Sequence, residues 1–356
     1  MIQQRHSQTQ QLRDWAYLGM EKYFRKAIAY EQKVLTDQDP EDLHQMRVGM
    51  RRLRSAVTGF APILDLPPQM SNKRIGKMAR ILGELRDLDV LQEALQEYQP
   101  QVKAKEQPLL EKALQKLSKR RSKAFKTVKN FLKSKTYKNF KQSVNTWLQE
   151  PHYQNWAELP VNSVLPDLLL PYINQLLLHP AWWVGVTVEG EKIKRPTRLT
   201  LKGAESQISQ QGEALHDLRK QAKRVRYQMS LFRQHYGPVY QEYVQEIKQI
   251  QEVLGTIQDT LVLEAFLDEV LPSNWRQEGP GLTKLLTKQR YECWKEWYKL
   301  QQRYLNELVR QGLRQAAISP LIAIAVTENN TLVSKDLPED MNSGKTTNHR
   351  HLHNKH

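Results

Sequence analysis

Two stretches of this sequence place a histidine ahead of three cations at helical spacing. His44, Arg47, Arg51 and Arg54 step by three, four and three residues, and His216, Arg219, Lys223 and Arg226 repeat the step. On a helix such residues share one flank, and a rise of about 5.4 Å per turn turns the row into a ladder of donors. Guanidinium and ammonium groups arranged this way suit charge-assisted hydrogen bonds to successive anionic oxygens. The chemistry indicated is the holding of a polyanion, not the making or breaking of bonds. Each histidine also follows a glutamate by three residues, Glu41 and Glu213. Glu-x-x-His on two helices is a di-iron bundle pattern, but here both glutamates point away from the apolar seam. Arg47 and Lys223 also share the row with the histidines, and their charge repels a dication. A histidine beside an anion would instead gain charge as pH falls and tighten binding in acid.

The two rows belong to an internal repeat. Leu43–Arg54 aligns without gaps on Leu215–Arg226, an offset of 172 residues (216 − 44). The following helix keeps the same offset: Leu82-Gly83, Asp87, Val90-Leu91 and Leu95 match Leu254-Gly255, Asp259, Val262-Leu263 and Leu267. A duplicated helical bundle accounts for two helices and their turn agreeing in register. Asp87 and Asp259 are expected to orient an arginine from a neighbouring helix. Gly83 and Gly255 cost helix stability, and close helix approach is the expected return.

The elements that position these residues read as helices throughout. Leu12 to Leu35 contains no proline. Asp39 is a good N-cap, Pro40 a good first residue, and Glu41 and Asp42 suit the positive end of a helix dipole. Leu43, Met46, Met50, Leu53 and Val57 then form an apolar seam. A further helix is predicted over Asn72–Tyr98, with Ile75, Met78, Leu82, Leu85, Leu88, Leu91 and Leu95 inward. Lys103–Leu148 continues helical and carries a basic run, Lys119 to Lys141, predicted to cover an outer face and add long-range attraction. Residues 151–203, rich in proline, read as a linker and insertion with a short helix at Pro166–Leu178. Helical patterning returns at 204–236, 239–270 and 281–317. The expected organisation is an N-terminal tail (1–9), a first bundle (10–150), the linker (151–203), a second bundle (204–317) and a polar tail (318–356). That tail carries His349, His351, His353 and His356, read as solvated rather than metal-binding. The fold class is all-α: two helical bundles related by duplication.

Composition agrees with a polyanion partner. The 356 residues carry a formal charge of +16, which favours anionic polymers and says nothing of fold. One cysteine, Cys293, excludes an internal disulfide and a cysteine-rich zinc site and fits a cytoplasmic compartment. The longest apolar stretches, 168–178 and 318–326, fall short of the ~20 residues that span a bilayer, so no membrane insertion is expected. No P-loop and no nucleophile–base pairing is visible.

The His-x-x-Arg-x-x-x-Arg/Lys-x-x-Arg helices, the Leu-Gly-Glu-Leu-Arg-Asp-Leu-Asp-Val-Leu run at 82–91 and the Arg219–Tyr227 segment resemble the CHAD family, the conserved-histidine α-helical domain. The resemblance covers about residues 10–317. It implies two four-helix bundles related by a pseudo-twofold axis around a basic cleft that binds inorganic polyphosphate without a cofactor, other polyanions being partners of the same chemistry. It also implies a cytoplasmic protein, with polyphosphate granules as one place of residence. Carried over by motif, the cleft would be lined by His44, Arg47, Arg51, Arg52, Arg54, His216, Arg219, Lys220, Lys223, Arg224, Arg226 and Tyr227. The third helix of the second half, with Gln245, Glu246, Gln249, Gln251 and Glu252, is less basic than Lys73–Arg86, so the cleft is expected to be lopsided. Nucleic-acid binding is the alternative, disfavoured because Tyr227 is the only aromatic on the rows and offers little stacking. Phosphate-ester processing is the remaining class. Glu189-Gly190-Glu191-Lys192-Ile193 only approaches the Glu-x-Glu-x-Lys pattern of triphosphate-hydrolysing tunnel domains that accompany the family.

Overall fold

Helical periodicity and capping chemistry set the elements of the computed structural model, which describes residues 11–190, 192–194 and 199–321. The first half contains α1 (Leu12–Ala29), α2 (Glu31–Thr36), α3 (Pro40–Gly59), α4 (Asn72–Tyr98), α5 (Gln107–Lys133) and α6 (Lys135–Gln149). Then come α7 (Val161–Leu177), a two-stranded antiparallel hairpin of β1 (Thr187–Glu189) and β2 (Lys192–Lys194), and α8 (Leu201–Leu231). The chain continues through α9 (Pro238–Val270), α10 (Trp275–Glu278), α11 (Pro280–Tyr304) and α12 (Glu307–Ile318). The fold is all-α. The tail histidines and the N-terminal tail fall outside the described residues. Among the described residues no helix is long and apolar enough to cross a membrane.

The expected cap is present. The Asp39 carboxylate accepts from the Glu41 amide at 2.8 Å, and Pro40 opens α3, as a short side-chain acceptor and a preset φ favour. Two long helical stretches are broken where the sequence reads as continuous. Tyr30 separates α1 from α2, and Ser134 ends α5 and accepts from the Tyr137 amide at 3.2 Å to start α6. The short helix expected at Pro166–Leu178 is present and starts earlier, at Val161. Pro166 and Pro171 lie inside α7, whose Val164, Leu165, Leu169, Ile173 and Leu176 are buried. Both prolines sit off the buried face, so their rings crowd only the outer turns, and the segment serves as a core helix. Glu189 and Ile193 lie on the hairpin, whose turn uses Gly190 at φ 60°.

Packing follows one order in each half. α1 packs on α3, α3 on α4 and α4 on α5; α7 packs on α8, α8 on α9 and α9 on α11. Helix ends keep the offset of the sequence match: α3 and α8 end at Gly59 and Leu231, and α4 and α9 end at Tyr98 and Val270, each pair 172 residues apart. The halves also share one apolar core. Leu95, Leu110, Ala113 and Leu117 from α4 and α5 pack with Leu263, Leu267, Trp275, Leu282 and Leu286 from the second half. Beside it the buried Glu106 carboxylate accepts from the Gly281 and Leu282 amides at 2.9 and 3.2 Å, satisfying the free N–H groups at the start of α11.

Two arginines each clamp a pair of carboxylates. Arg121 on α5 holds Asp37 and Asp89 through bonds of 2.7 Å. Arg290 on α11, 3% exposed, holds Glu205 and Glu264 at 2.5–3.0 Å. These arginines are charge-balanced and serve the fold.

Candidate polyanion-binding site

The apolar seam of α3 (Leu43, Met46, Met50, Leu53) is buried, as are Leu215, Leu218, Ala222 and Val225 on α8. Burying these stripes fixes the rotation of both helices, and the His-led rows come to the same place. α3 and α8 are in contact: the Gln228 side-chain amide donates to the Ser55 carbonyl at 3.1 Å. Lys223 lies within the field of Arg47 and Arg51 from α3 and of Arg219 and Arg226 from α8. The guanidinium groups of Arg51 and Arg226 both sit 4.8 Å from the centre of the Tyr227 ring, an arrangement that cation–π attraction favours. The two rows therefore form a single cluster.

Positive charge outweighs counter-charge in the cluster. Arg51, Arg52 and Arg54 are pulled below the ordinary arginine range, chiefly by desolvation and then by neighbouring arginines. Lys223 is pulled down to about 7 by burial, reinforced by Arg51, Arg47, Arg219 and Arg226. His44 is lowered by burial; Glu41 opposes this, while Arg86, Arg51 and Arg47 add to it. His216 is lowered by burial and by Lys220 and Arg219, with Asp217 opposing. The Nε atoms of Arg51, Arg219 and Arg226, the Nε and Nη2 of Arg52 and the Nδ1 of His216 are buried without a hydrogen-bond partner. Buried donors are ordinarily satisfied, and an unpaired buried charge is costly. A bound polyanion would supply both the acceptors and the charge.

Two glycines shape the cluster. A Cβ on Gly83 would stand 3.3 Å from Arg47 Nη2, and one on Gly255 would stand 3.2 Å from Arg219 Nε. Each glycine leaves room for a guanidinium to lie along the next helix, a more specific reason than close helix approach. The aspartates are looser than an orienting role requires. Asp87 approaches Arg47 only to 3.6 Å and Asp259 approaches Arg219 only to 4.0 Å.

Not every residue expected in the cleft stands in its middle. Arg52 is buried behind the row, 5.8 Å from the Tyr23 ring centre. Lys220 is exposed and held by Asp217 at 2.8 Å; the same carboxylate contacts His179 at 3.1 Å. Arg224 is exposed, donates to Gln221 at 3.3 Å and acts on Arg54. Two residues on α4 join the site without having been singled out. Arg86 acts on His44 and Arg80 on Arg54; the basic character of Lys73–Arg86 was the signal for them. Within the basic run, Arg120, Arg121 and Lys141 are tied to Glu269, to Asp37 and Asp89, and to Glu31. Lys119, Lys123, Lys126, Lys129, Lys133, Lys135 and Lys138 are exposed. Among the described residues no group of three or more His, Cys, Asp or Glu could hold a metal ion.

The fold and the site together define an all-helical protein with a cation row on each of two contacting helices. The CHAD domain profile matches residues 19–268, and the chain belongs to that family. Its fold is similar to that of the CHAD domain from the plant Ricinus communis, with a TM-score of 0.56 and 20% identity over 88% of this chain and 97% of that one. PptA from Streptomyces chartreusis is 16% identical over 86% of this chain and 99% of its own, with a TM-score of 0.49. No curated protein matches the sequence.

Proposed function

We propose that the protein binds inorganic polyphosphate non-catalytically in the cluster formed by α3 and α8. The observation that carries this reading is the convergence of cations from both helices on Lys223 and on the Tyr227 ring, in excess of the carboxylates beside them. Polyphosphate offers acceptor oxygens and charge at close intervals, and binding would combine charge-assisted hydrogen bonds with counterion release. His44, Arg47, Arg51, Arg54, His216, Arg219, Lys223, Arg226 and Tyr227 form the contact set; Arg52 supports it from behind, and Lys220 and Arg224 flank it. In this reading the halves at 10–150 and 204–317 are duplicated bundles, with α7 completing the second. The exposed lysines of α5 and α6 attract polyanions at long range, and the protein works in the cytoplasm, free or on polyphosphate granules.

Titration with long-chain polyphosphate, and with single-stranded DNA of matched charge, tests the reading at low and at physiological salt. Tighter polyphosphate binding that persists at the higher salt supports it. Equal affinities that fall together with salt would leave only a basic surface and favour the nucleic-acid alternative.

A further inference from the structure

Two kinds of arginine–carboxylate contact differ sharply among the described residues. Arg121 and Arg290 hold their partners through several hydrogen bonds of 2.5–3.0 Å, and the Asp89 side chain is only 2% exposed. Arg47–Asp87 and Arg219–Asp259 are 3.6 and 4.0 Å apart, with side chains of Asp87 and Asp259 that are 70% and 58% exposed. A carboxylate that fixes a guanidinium makes the first kind of contact. The second kind is a hydrated counter-charge beside an arginine that is already placed by the space over Gly83 or Gly255.

The two loose aspartates come from α4 and α9, and the charge of Asp87 reaches Asp259. Partial desolvation raises the Asp259 carboxyl, Arg219 opposes the rise, and the Asp87 charge adds to it. Lys223 acts on Asp259 as well. The middle of the basic cluster thus carries a pair of negative charges, one from each half.

We propose that Asp87 and Asp259 are specificity-determining residues that admit singly charged internal phosphoryl units to the centre of the site and turn away doubly charged terminal or free phosphate groups. The proposal rests on the polyphosphate reading. An internal unit carries one negative charge, whereas a terminal phosphate, with a second ionisation near pH 6, carries roughly 1.5–2 at neutral pH. Repulsion at a fixed point scales with the charge placed there, so an end group is penalised about twice as heavily as an internal one. A long chain keeps its ends outside the cluster; a chain of three units brings one against the aspartates wherever it binds. The carboxylates convert a general attraction for phosphate into a preference for length.

The experiment compares tripolyphosphate with long-chain polyphosphate on the full-length protein. In the Asp87→Asn, Asp259→Asn double variant, tripolyphosphate affinity is expected to rise about tenfold and long-chain affinity about threefold, the scale of exposed charge pairs. The Asp87→Glu, Asp259→Glu variant keeps both charges and is expected to hold the wild-type ratio of the two affinities. Equal gains for both ligands in the asparagine variant would overturn the proposal. So would a loss for both, which would make the aspartates orienting groups after all. Wild-type protein that does not prefer polyphosphate to DNA refutes the parent reading, whereas the ratio in the variants decides this one.

Discussion

Arg54 and Arg226 occupy equivalent places 172 residues apart and meet different surroundings. Arg54 lies against Gly76, its Cζ 3.1 Å from where a Cβ would stand, donates to Asn72 at 2.7 Å and stays exposed. The position equivalent to Gly76 on α9 is Lys248, and Arg226 is 9% exposed and placed over Tyr227 instead. Arg51 and Lys223 are a second unequal pair. A guanidinium stays charged when buried, but the Lys223 ammonium is brought down to about 7. The neighbouring helices diverge in the same sense. Lys73, Arg74, Lys77 and Arg80 on α4 correspond to Gln245, Glu246, Gln249 and Glu252 on α9. Helical register preserves the placement of backbones through duplication, while the facing helix decides exposure and charge. Of these pairs, Arg54 is the accessible cation and Arg226 the buried one, while Lys223 is the member that can titrate.

The largest expected effect removes what the halves share. Arg47→Ala with Arg219→Ala deletes the two arginines that lie over Gly83 and Gly255. Each charge-assisted bond is worth about 1.5–3 kcal/mol, so long-chain polyphosphate affinity should fall at least about a hundredfold. The circular-dichroism helix signal should stay unchanged, because these cations hold no buried partner. Single variants that differ by more than about tenfold would show that one half dominates binding.

Arg290→Ala probes the contrasting kind of arginine. Breaking a buried pair costs about 3 kcal/mol or more, so denaturant titration should show a large loss of stability while polyphosphate affinity of the folded protein is retained. Arg51→Met should behave in the opposite way. It removes a crowded cation without a hydrogen-bond partner for its Nε, and it should raise the thermal midpoint of the ligand-free protein while weakening binding. A stability loss from Arg51→Met comparable to that of Arg290→Ala would erase the distinction between site and scaffold arginines.

The titratable half makes a pH prediction. Lys223 in the folded, ligand-free protein sits near 7, below its ordinary value of 10.5. Between these values the unfolded chain binds more protons, so ligand-free stability rises with pH from about 7 and levels off above the ordinary lysine range. Binding runs the other way. A polyanion stabilises the ammonium, the complex takes up a proton, and affinity falls as pH rises through 7, by at most about tenfold per pH unit for one linked proton. Lys223→Arg should flatten that dependence. His44 and His216, both lowered, add affinity only as pH falls below the ordinary histidine range. Polyphosphate titrations of wild type and Lys223→Arg across pH 5 to 9 check both signs; a slope unchanged by the substitution would remove Lys223 from the linkage.

Much of this was legible in the residues. The spacing of His44, Arg47, Arg51 and Arg54 beside a buried seam is a one-dimensional pattern, and it located the row on the helix. Asp39 and Pro40 marked the start of α3 because capping involves only near neighbours. Legibility ended where distant parts of the chain meet. Pro166 and Pro171 read as part of a short helix, and no local signal shows that it begins at Val161 and that both rings face away from a core. The partners of Arg121, Asp37 and Asp89, lie 84 and 32 residues away, and only folding separates this arginine from the lysines around it. Lys220 fits the motif but stands at the edge of the site, held by Asp217, a carboxylate that His179 also contacts. The shared core of α4, α5, α9 and α11 was likewise hidden, since a repeat shows that two units exist without showing how they join.

The smallest effect separates two reasons for a glycine in a helix. Replacing an exposed helical glycine with alanine usually adds about 1 kcal/mol of stability. Gly212 on α8 has nothing within 4 Å of a Cβ, so Gly212→Ala should show that gain with no change in binding. At Gly83 the added Cβ would stand 3.3 Å from Arg47 Nη2, and at Gly255 it would stand 3.2 Å from Arg219 Nε. Both approaches are tighter than ordinary contact, and the guanidinium is the group free to give way. Gly83→Ala and Gly255→Ala should therefore keep most of the stability gain yet weaken polyphosphate by about threefold, the cost of a few tenths of a kcal/mol in misplaced hydrogen bonds. Full affinity in both variants would mean that the glycines serve helix packing alone and that the arginines find their places without them.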